Sequence, residues 1–289
     1  MVIWYHIPRP TSMNAASAPC YNHRRGEIMK TLPLHIRGAT LSVSPEVLLL
    51  SLPHPFHALS TAIWGGGERM ISYAMNQRLS QYCPTEQDFP GGSVKAWLRS
   101  CAVQQNIPPE SCAVLMTSAD VSLYSHQFLE EDGWTAEIIA AGGCEKTACR
   151  AGSAPLYREN DGSYFPVGTV NLLVLTDAAL PPGILARALM TLTEGKTAAM
   201  QDLGIADVNN GLPATGTCTD GIIFLSDPEG PVLTDAGTFS AFGSALAKIA
   251  HNSVKECILK RGRPWNAVPA LQTPAPCSQE ELLRLREAH

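Results

Sequence analysis

Three stretches give the strongest structural signal in this chain: GTVNLLVLTD (168–177), LTEGKTAAMQDLGI (192–205) and ATGTCTDGIIFLS (214–226). The first and third contain unbroken apolar runs typical of buried β-strands, and the second belongs to a long apolar helix. Small polar residues stand where these elements begin and end. We therefore expect the functional site at these junctions, because polar side chains beside buried structure need a hydrogen-bonding or functional reason.

Composition limits the classes of protein that the chain can represent. Its 289 residues are 45% hydrophobic and 16% charged, as in a globular protein with a substantial core. The net charge of -5 and the lack of long basic runs argue against a nucleic-acid partner. The apolar runs are far shorter than the ~20 residues that cross a bilayer, so no membrane insertion is expected.

Cysteine usage and the N-terminal sequence indicate the compartment. Nine cysteines at irregular spacing are typical of free thiols in a reducing environment rather than of a disulfide framework. The N-terminus lacks the pattern of a secretory signal. We predict a cytoplasmic protein.

Composition also divides the chain into three parts. Residues 1–28 show no sustained period and are predicted to be a disordered extension. Residues 29–263 are predicted to form a single domain. Residues 264–289 are predicted to be a proline-bearing tail, in which Ser278 and Glu281 fit the pattern of a capping box for a short helix.

Turn and capping signals divide the predicted domain into helices and strands. The predicted helices cover residues 68–82, 93–105, 182–203 and 239–260. The predicted strands cover residues 39–43, 46–52, 112–118, 134–141, 169–175 and 219–225. Because the strands are almost continuously apolar, the sheet is expected to be covered on both faces. Some connections are too short for a crossover helix, so we predict an α/β fold with a mixed, largely buried sheet and helices on both faces; an α+β fold is the alternative.

The helix predicted at 182–203 carries two charged residues of interest. At 100° per residue, Lys196 lies on the same apolar stripe as Leu192 and Ala199, whereas Glu194 lies nearly opposite. An unpaired buried ammonium is costly, so Lys196 must snorkel, pair with a carboxylate or serve a site. The same periodicity makes Glu194 a solvated carboxylate.

The turn from Thr215 to Asp220 has two interpretations. Its hydroxyls and the Gly216 amide can bind polar substrate groups, and Asp220 can act as a general base or orient a threonine. Alternatively, the threonines satisfy their own backbone in an ordinary turn. Asn171 is a related case, since a buried amide in an apolar strand either fixes a loop or faces a ligand.

Other sequence signals are weaker. Gly65-Gly66-Gly67 before a predicted helix can present backbone amides to an oxygen atom, but it lacks a phosphate-binding fingerprint. Pro55 lies between His54 and His57 and argues against a helical metal-ligand pair. No G-x-S-x-G element is present. We predict neither a metal nor a cofactor.

Taken in order, several motifs resemble the adenosylcobinamide amidohydrolase (CbiZ-type) family of corrinoid salvage over residues 41–259. A GT-x-N strand corresponds to residues 168–171, a TE-x-K helix to 193–196 and a TGT-x-TD turn to 215–220. Glycines 65–67 with Asn76 on a helix, and Arg150-Ala151-Gly152, match two further segments. The resemblance implies hydrolysis of the amide that joins aminopropanol to the corrin ring, with adenosylcobyric acid and 1-amino-2-propanol as products.

The resemblance also implies roles for individual residues, and it makes the corrinoid with its cobalt the substrate rather than a cofactor. It makes Glu194 a candidate catalytic residue, and it suggests that the helix predicted at 182–203 is covered on both sides. We expect Asp220 or Glu194 to activate the nucleophile, and Lys196 to help hold the carbonyl oxygen. The full catalytic set is Asp220, Glu194, Thr217, Thr219 and Lys196. The expected substrate-binding residues are Asn171, Thr215, Gly216, Gly65, Gly66, Asn76 and Arg150.

The chain departs from the family pattern at three positions. Ser153 stands where Asp is usual, Phe239 where a His is frequent, and Thr147 near a usual Asn. These departures leave two alternatives open. One is a non-catalytic corrinoid-binding relative, and the other is an amidase for another small amide.

Overall fold

The computed structural model describes residues 29–81, 83–131, 133–144, 147–154 and 168–262. The described strands are β1 (Lys30–Pro33), β2 (Thr40–Val43), β3 (Val47–Ser60), β4 (Gly67–Arg78), β5 (Cys112–Thr117), β6 (Ser125–Glu131), β7 (Trp134–Gly142), β8 (Ala148–Cys149), β9 (Val170–Thr176), β10 (Gly216–Thr217) and β11 (Gly221–Ser226). The described α-helices are α1 (Val94–Gln104), α2 (Pro182–Asp202) and α3 (Ala241–Lys260). No helix among these has the length and apolar character needed to span a membrane.

Nine of the described strands form one mixed sheet. Its path runs β1-β2-β3-β11-β9-β7-β6, while β4 pairs with the other edge of β3 and β5 pairs with β4. The pairs β9–β11 and β4–β5 are parallel, and the other neighbours are antiparallel. Strands β8 and β10 form a separate two-stranded ribbon. The prediction of a mixed sheet is therefore confirmed.

The sheet curls over on itself around the long strand β3. The first half of β3 pairs with β2, and its last residues pair with β11. Between these halves the register shifts from Ser51 to Phe56, a segment that contains Pro53 and Pro55. An inner cluster joins apolar side chains of β4 and β5 to those of β7 and β9, which are not their sheet neighbours. Two halves of one sheet thus face each other across a shared core.

Helices cover both outer faces of this curled sheet. On one side, α2 and α3 pack on β7 and β9, with Leu192 and Leu246 against Ile138 and Val174. On the other side, Trp97 of α1 packs in a cluster of side chains from β3, β4 and β5. The layers are helix, sheet, sheet and helix, which confirms the predicted α/β class with a largely buried sheet.

Three of the four predicted helices are confirmed, together with their end signals. Ser93 caps α1 by accepting a hydrogen bond from the Ala96 amide at 3.1 Å, and Ser240 caps α3 through the Gly243 amide at 3.0 Å. Pro182 begins α2, and Gly204 follows its end with a φ of 64°.

The predicted helix at 68–82 is wrong, because this segment contains the strand β4. Its apolar residues fit a helical period, but Ile71 and Ala74 face the inner core while Met75 faces α1. Pairing with β3 on one side and β5 on the other outweighs the local pattern. The strand predicted at 46–52 is also longer than expected, since β3 continues past Pro53 and Pro55. The predicted extension 1–28 and tail 264–289 lie outside the described residues.

Candidate active site

Asp220 is the centre of the candidate site. It lies in the turn that joins β10 to β11, and its side chain is 13% exposed. The backbone amides of Val170 and Thr217 donate to its carboxylate at 2.9 and 3.0 Å. The Thr217 hydroxyl and the Lys196 ammonium donate to it as well. These four donors fix the carboxylate between the starts of β9 and β11.

Lys196 reaches Asp220 from the buried stripe of α2. Its side chain is 8% exposed, and its Nζ also donates to the Thr215 carbonyl at 3.3 Å. Of the options that periodicity left open, the lysine therefore pairs with a carboxylate. Gly216 makes room for this ion pair, because a Cβ there would collide with both the Asp220 carboxylate and the Lys196 ammonium.

Two threonine hydroxyls lie beside this ion pair. The Oγ1 atoms of Thr169 and Thr219 are 2.7 Å apart, and the Thr219 hydroxyl also lies 3.3 Å from the Gly168 carbonyl. Both threonines border a cavity that Asp220 borders too. Thr169 is buried just before β9, whereas Thr219 is exposed.

Asn171 contributes an acceptor that none of the described protein groups uses. Its Nδ2 donates to Asn76 Oδ1 at 2.9 Å and to the Met116 carbonyl at 3.0 Å. Its Oδ1 is buried and has no partner among the described residues. Because buried polar atoms are normally hydrogen-bonded, this free oxygen in a cavity wall suits a donor on a bound molecule.

The cavity itself has a volume of about 520 Å³. Its polar end holds Thr169, Asn171, Thr219 and Asp220, and Arg78, Lys95 and Glu86 add charged groups elsewhere in the wall. Most of the remaining wall is apolar: Ile63, Leu79, Phe89, Val94, Leu115 and Met116. A mostly apolar cavity with a few convergent polar groups is the usual form of a small-molecule site.

A second, more open cleft of about 480 Å³ adjoins the cavity. The two share Thr61, Ile63 and Lys95, and Gly65–Gly67 line the cleft. The glycines lead into the strand β4, whose first residue is Gly67, instead of the expected helix, so they cannot present a helix N-terminus. Gly65 has a φ of 70° and a Cβ there would strike the Cys112 carbonyl, which explains the glycine structurally.

The remaining predicted residues do not border the cavity; some hold residues that do, and others lie away from it. Thr217 does not border the cavity and instead donates to Asp220. The Thr215 hydroxyl accepts a hydrogen bond from the Ala151 amide at 2.9 Å. Asn76 lies on β4 and anchors Asn171. Arg150 is exposed, and its guanidinium donates to the Pro213 carbonyl at 3.1 Å.

Glu194 lies away from the candidate site, unlike the catalytic position that the family resemblance implies for it. It is exposed on the face of α2 opposite Lys196, and it does not border the cavity. The expectation that this helix is covered on both sides is wrong, since Arg187, Met190 and Gln201 on the same face are exposed too. Periodicity described this face correctly, whereas the family resemblance did not.

The departures from the family pattern differ in their distance from the site. Ser153 donates to Asp207 and Phe239 is 97% exposed, and neither borders the cavity. Thr147 is closer, because its buried hydroxyl would meet a Cβ placed on Gly168. Of the three, only Thr147 lies against the segment that carries Thr169.

Two further residues bear on the chemistry. Thr169 was not predicted as a site residue, although it belongs to the GTVN segment at 168–171. The sequence feature that could have indicated it is a hydroxyl residue directly before a buried strand. Cys218 lies within the turn, but desolvation raises the pKa of its thiol above the ordinary value. Because the thiolate is the nucleophilic form, this shift disfavours Cys218 as a nucleophile.

Comparison with known proteins identifies the family. The adenosylcobinamide amidohydrolase family matches residues 33–264 of this chain. The chain belongs to this family. The family is one of amide hydrolases, and the match confirms the resemblance found in the motifs.

Individual relatives are distant. An uncharacterized protein from Methanocaldococcus jannaschii is 31% identical over 170 residues, covering 54% of this chain and 66% of that protein, just under two thirds. The adenosylcobinamide amidohydrolase of Methanosarcina mazei is 24% identical over 238 residues, covering 79% of this chain and 98% of that protein. Among solved structures, the L-aminopeptidase D-Ala-esterase/amidase of Ochrobactrum anthropi, described as a variant of the Ntn hydrolase fold, aligns with 14% identity and a TM-score of 0.38 over 91% and 90% of the two chains.

Proposed function

We propose that this protein hydrolyses the aminopropanol amide of adenosylcobinamide to give adenosylcobyric acid and 1-amino-2-propanol. Membership of the family and the name of the Methanosarcina mazei relative support this reaction. The observation that carries the proposal is the convergence of hydroxyls, a carboxylate and a free amide oxygen at one end of an apolar cavity.

The size of the cavity suggests how a corrinoid would bind. A volume of about 520 Å³ suits a drug-sized group rather than a whole corrin macrocycle with its side chains. We therefore assign the cavity to the amide-bearing side chain of the substrate. The adjoining cleft lined by Gly65–Gly67 is open enough for the edge of the ring.

The chemistry requires a nucleophile, a proton acceptor and groups that orient the amide. We assign the nucleophile to the hydroxyl of Thr169 or Thr219, or to a water molecule held between them. Attack on the carbonyl carbon releases a proton to Asp220, which then passes it to the leaving amine nitrogen. If a threonine attacks, the amine leaves first, and one water molecule then hydrolyses the resulting ester and restores the threonine hydroxyl. Asn171 Oδ1 accepts a hydrogen bond from the substrate amide N–H.

Asp220 can accept this proton only if one of its present donors moves. A carboxylate offers about four acceptor sites, and all four are used. The two backbone amides are fixed, and Lys196 is held by its charge. The Thr217 hydroxyl is the donor that can rotate away, so we assign Thr217 a positioning role.

The test is incubation of the purified full-length chain with adenosylcobinamide, followed by mass analysis of both products. We expect Asp220→Asn to reduce turnover by about 100-fold or more, the usual contribution of a general base. Glu194→Gln, on the exposed face of the same helix as Lys196, is the matched control and should retain the wild-type rate. Circular dichroism of each variant shows whether it is folded.

Other outcomes would favour the alternatives. Tight binding of cobinamide without release of aminopropanol would indicate a non-catalytic relative, for which the departure at Thr147 is the supporting observation. Hydrolysis of smaller amides but not of adenosylcobinamide would indicate a different amidase, which the cavity volume also suits. Full activity of Asp220→Asn would contradict the assigned mechanism.

A further inference from the structure

Three side chains of metal-binding type converge at a place remote from the cavity. They are His35 in the loop between β1 and β2, His126 on β6 and Glu137 on β7. Their ligand atoms all lie within 4.8 Å of one another. His35 Nδ1 and His126 Nε2 lie 3.2 and 2.7 Å from the same oxygen, Glu137 Oε2.

The carboxylate in this group is rigidly held. Glu137 is fully buried, and its other oxygen accepts a hydrogen bond from the Ile36 amide at 2.6 Å. This bond leaves Oε2 directed at the two imidazoles. The His35 ring in turn stacks on Phe128, with ring centroids 3.3 Å apart. Fixed ligands supported by neighbouring hydrogen bonds and packing are characteristic of metal sites.

The donor set fits a divalent transition metal. Two imidazole nitrogens and one carboxylate oxygen are ordinary zinc ligands, and tetrahedral bonds of about 2.0–2.2 Å place neighbouring ligands about 3.3 Å apart. Small shifts of the two imidazoles reach this spacing. A cation would also compensate the buried carboxylate, which is costly without a positive partner. The partly exposed imidazoles leave room for a water ligand and a path of entry.

We propose that His35, His126 and Glu137 bind one Zn²⁺ ion. In the path of the sheet, β1 and β2 lie at one end and β6 at the other. The ion would therefore join the two ends of the curled sheet. It would not take part in the proposed hydrolysis, because Glu137 lies four residues along β7 from Ala141, the partner of Asn171, which is roughly 13 Å at the rise of a strand.

The test measures binding of zinc itself and uses no corrinoid. The full-length chain is stripped of metal with a chelator, desalted and titrated with ZnCl₂ by calorimetry. We expect one equivalent to bind. His35→Ala and His126→Ala should each weaken binding at least about 100-fold, because even loss of an outer-shell partner costs 10–100-fold. The matched control is His57→Ala, since His57 bonds to Glu68 at 2.8 Å in a two-residue pair.

A second readout separates ligand loss from misfolding. Titration with Co²⁺ should give the strong visible absorption of a tetrahedral site in the wild type and in His57→Ala. Far-ultraviolet circular dichroism shows whether His35→Ala, at a half-exposed side chain, remains folded. Absence of stoichiometric zinc binding, or binding that a folded His35→Ala and His126→Ala leave unchanged, would overturn the proposal and leave a hydrogen-bonded His–Glu–His group in its place.

Discussion

The ion pair between Lys196 and Asp220 is nearly removed from water on both sides, with side-chain exposures of 8% and 13%. Such a pair adds little net stability over apolar residues, because desolvation offsets the attraction of the charges. The contribution of the ion pair is instead to position the Asp220 carboxylate. Lys196 is anchored in α2 and holds Asp220 toward the cavity, while Thr217 and Val170 fix the plane of the carboxylate.

Loss of only one partner should therefore be costly. We expect Lys196→Met to lower the free energy of unfolding by about 3–5 kcal/mol, because it leaves the Asp220 carboxylate buried without a cation. Urea denaturation at neutral pH measures this. The double variant Lys196→Met/Asp220→Asn should recover part of the loss, since no charge then remains.

Lys255→Met is the control for this substitution. Lys255 lies 3.8 Å from Asp202 in an exposed pair, and such pairs contribute about 0–1 kcal/mol. An equal loss of stability in Lys255→Met and Lys196→Met would show that the burial of the Asp220 pair has no energetic consequence.

Single residues of the site were predictable to different degrees. The helical stripe placed Lys196 among buried side chains and Glu194 on the opposite face, and the structure agrees with both. The partner of Lys196 could not be deduced, because no local pattern links positions 196 and 220. In sequence Thr169 resembles any residue at the start of a strand, because only the fold brings its hydroxyl beside that of Thr219.

Among the elements, the parallel pair β9–β11 does most to assemble the site. Its register sets Asn171 opposite Gly221, so that the amide and the turn holding Asp220 meet at the same end of the sheet. Gly221 matters because a Cβ there would approach Leu115 and come within 3.0 Å of Asn171 Oδ1.

Gly221→Ala should therefore disturb the cavity more than the fold. Overpacking of this kind costs about 1–3 kcal/mol of stability. We expect a larger effect on catalysis, a fall in kcat/KM on the order of 100-fold, because a displacement of about 1 Å at a reacting group has that consequence. Initial rates with adenosylcobinamide and urea denaturation measure the two effects.

Gly183→Ala provides the comparison, since Gly183 lies in the first turn of α2 and a Cβ there meets no atom within 4 Å. It should keep the wild-type rate and be no less stable, as alanine favours helix. A Gly221→Ala variant as active as Gly183→Ala would mean that Asn171 does not need its present position.

Elements with clear end signals were the predictable ones. Ser93, Ser240 and the Pro182–Gly204 pair marked three helices correctly, because caps act locally. The segment of β4 resembles a helix in sequence because Ile71, Ala74 and Met75 fit a helical period, and only pairing with β3 and β5 makes it a strand. The prolines of β3 likewise made the predicted strand too short, because the sequence does not show that β3 continues through them at a register shift.

At the scale of the whole molecule, the cavity exists because the sheet curls. One wall comes from β5 and from the segment that runs from the end of β4 to the start of α1, and the other comes from the starts of β9 and β11. The two groups of segments are separated in the chain by β6, β7 and β8. The sequence motifs could therefore predict residues at the polar end of the cavity, but they could not predict its apolar wall, to which Leu79, Val94 and Leu115 belong.

The same curl separates the proposed zinc site from the proposed chemistry, and this separation can be tested by metal removal. Chelation should leave hydrolysis of adenosylcobinamide unchanged, because none of the groups assigned to the reaction belongs to the His35–His126–Glu137 cluster.

Removal of the metal should, however, lower the thermal stability of the protein, because the ion binds only when the loop between β1 and β2 meets β6 and β7. At zinc concentrations about 100 times Kd the stabilisation is about 2.7 kcal/mol, or about 5–10 °C in Tm for a domain of this size. Scanning calorimetry with and without chelator measures the shift, with His35→Ala expected to show none. Loss of turnover that zinc restores would contradict metal-free chemistry, whereas an unchanged Tm would contradict a stabilising ion between the two ends of the sheet.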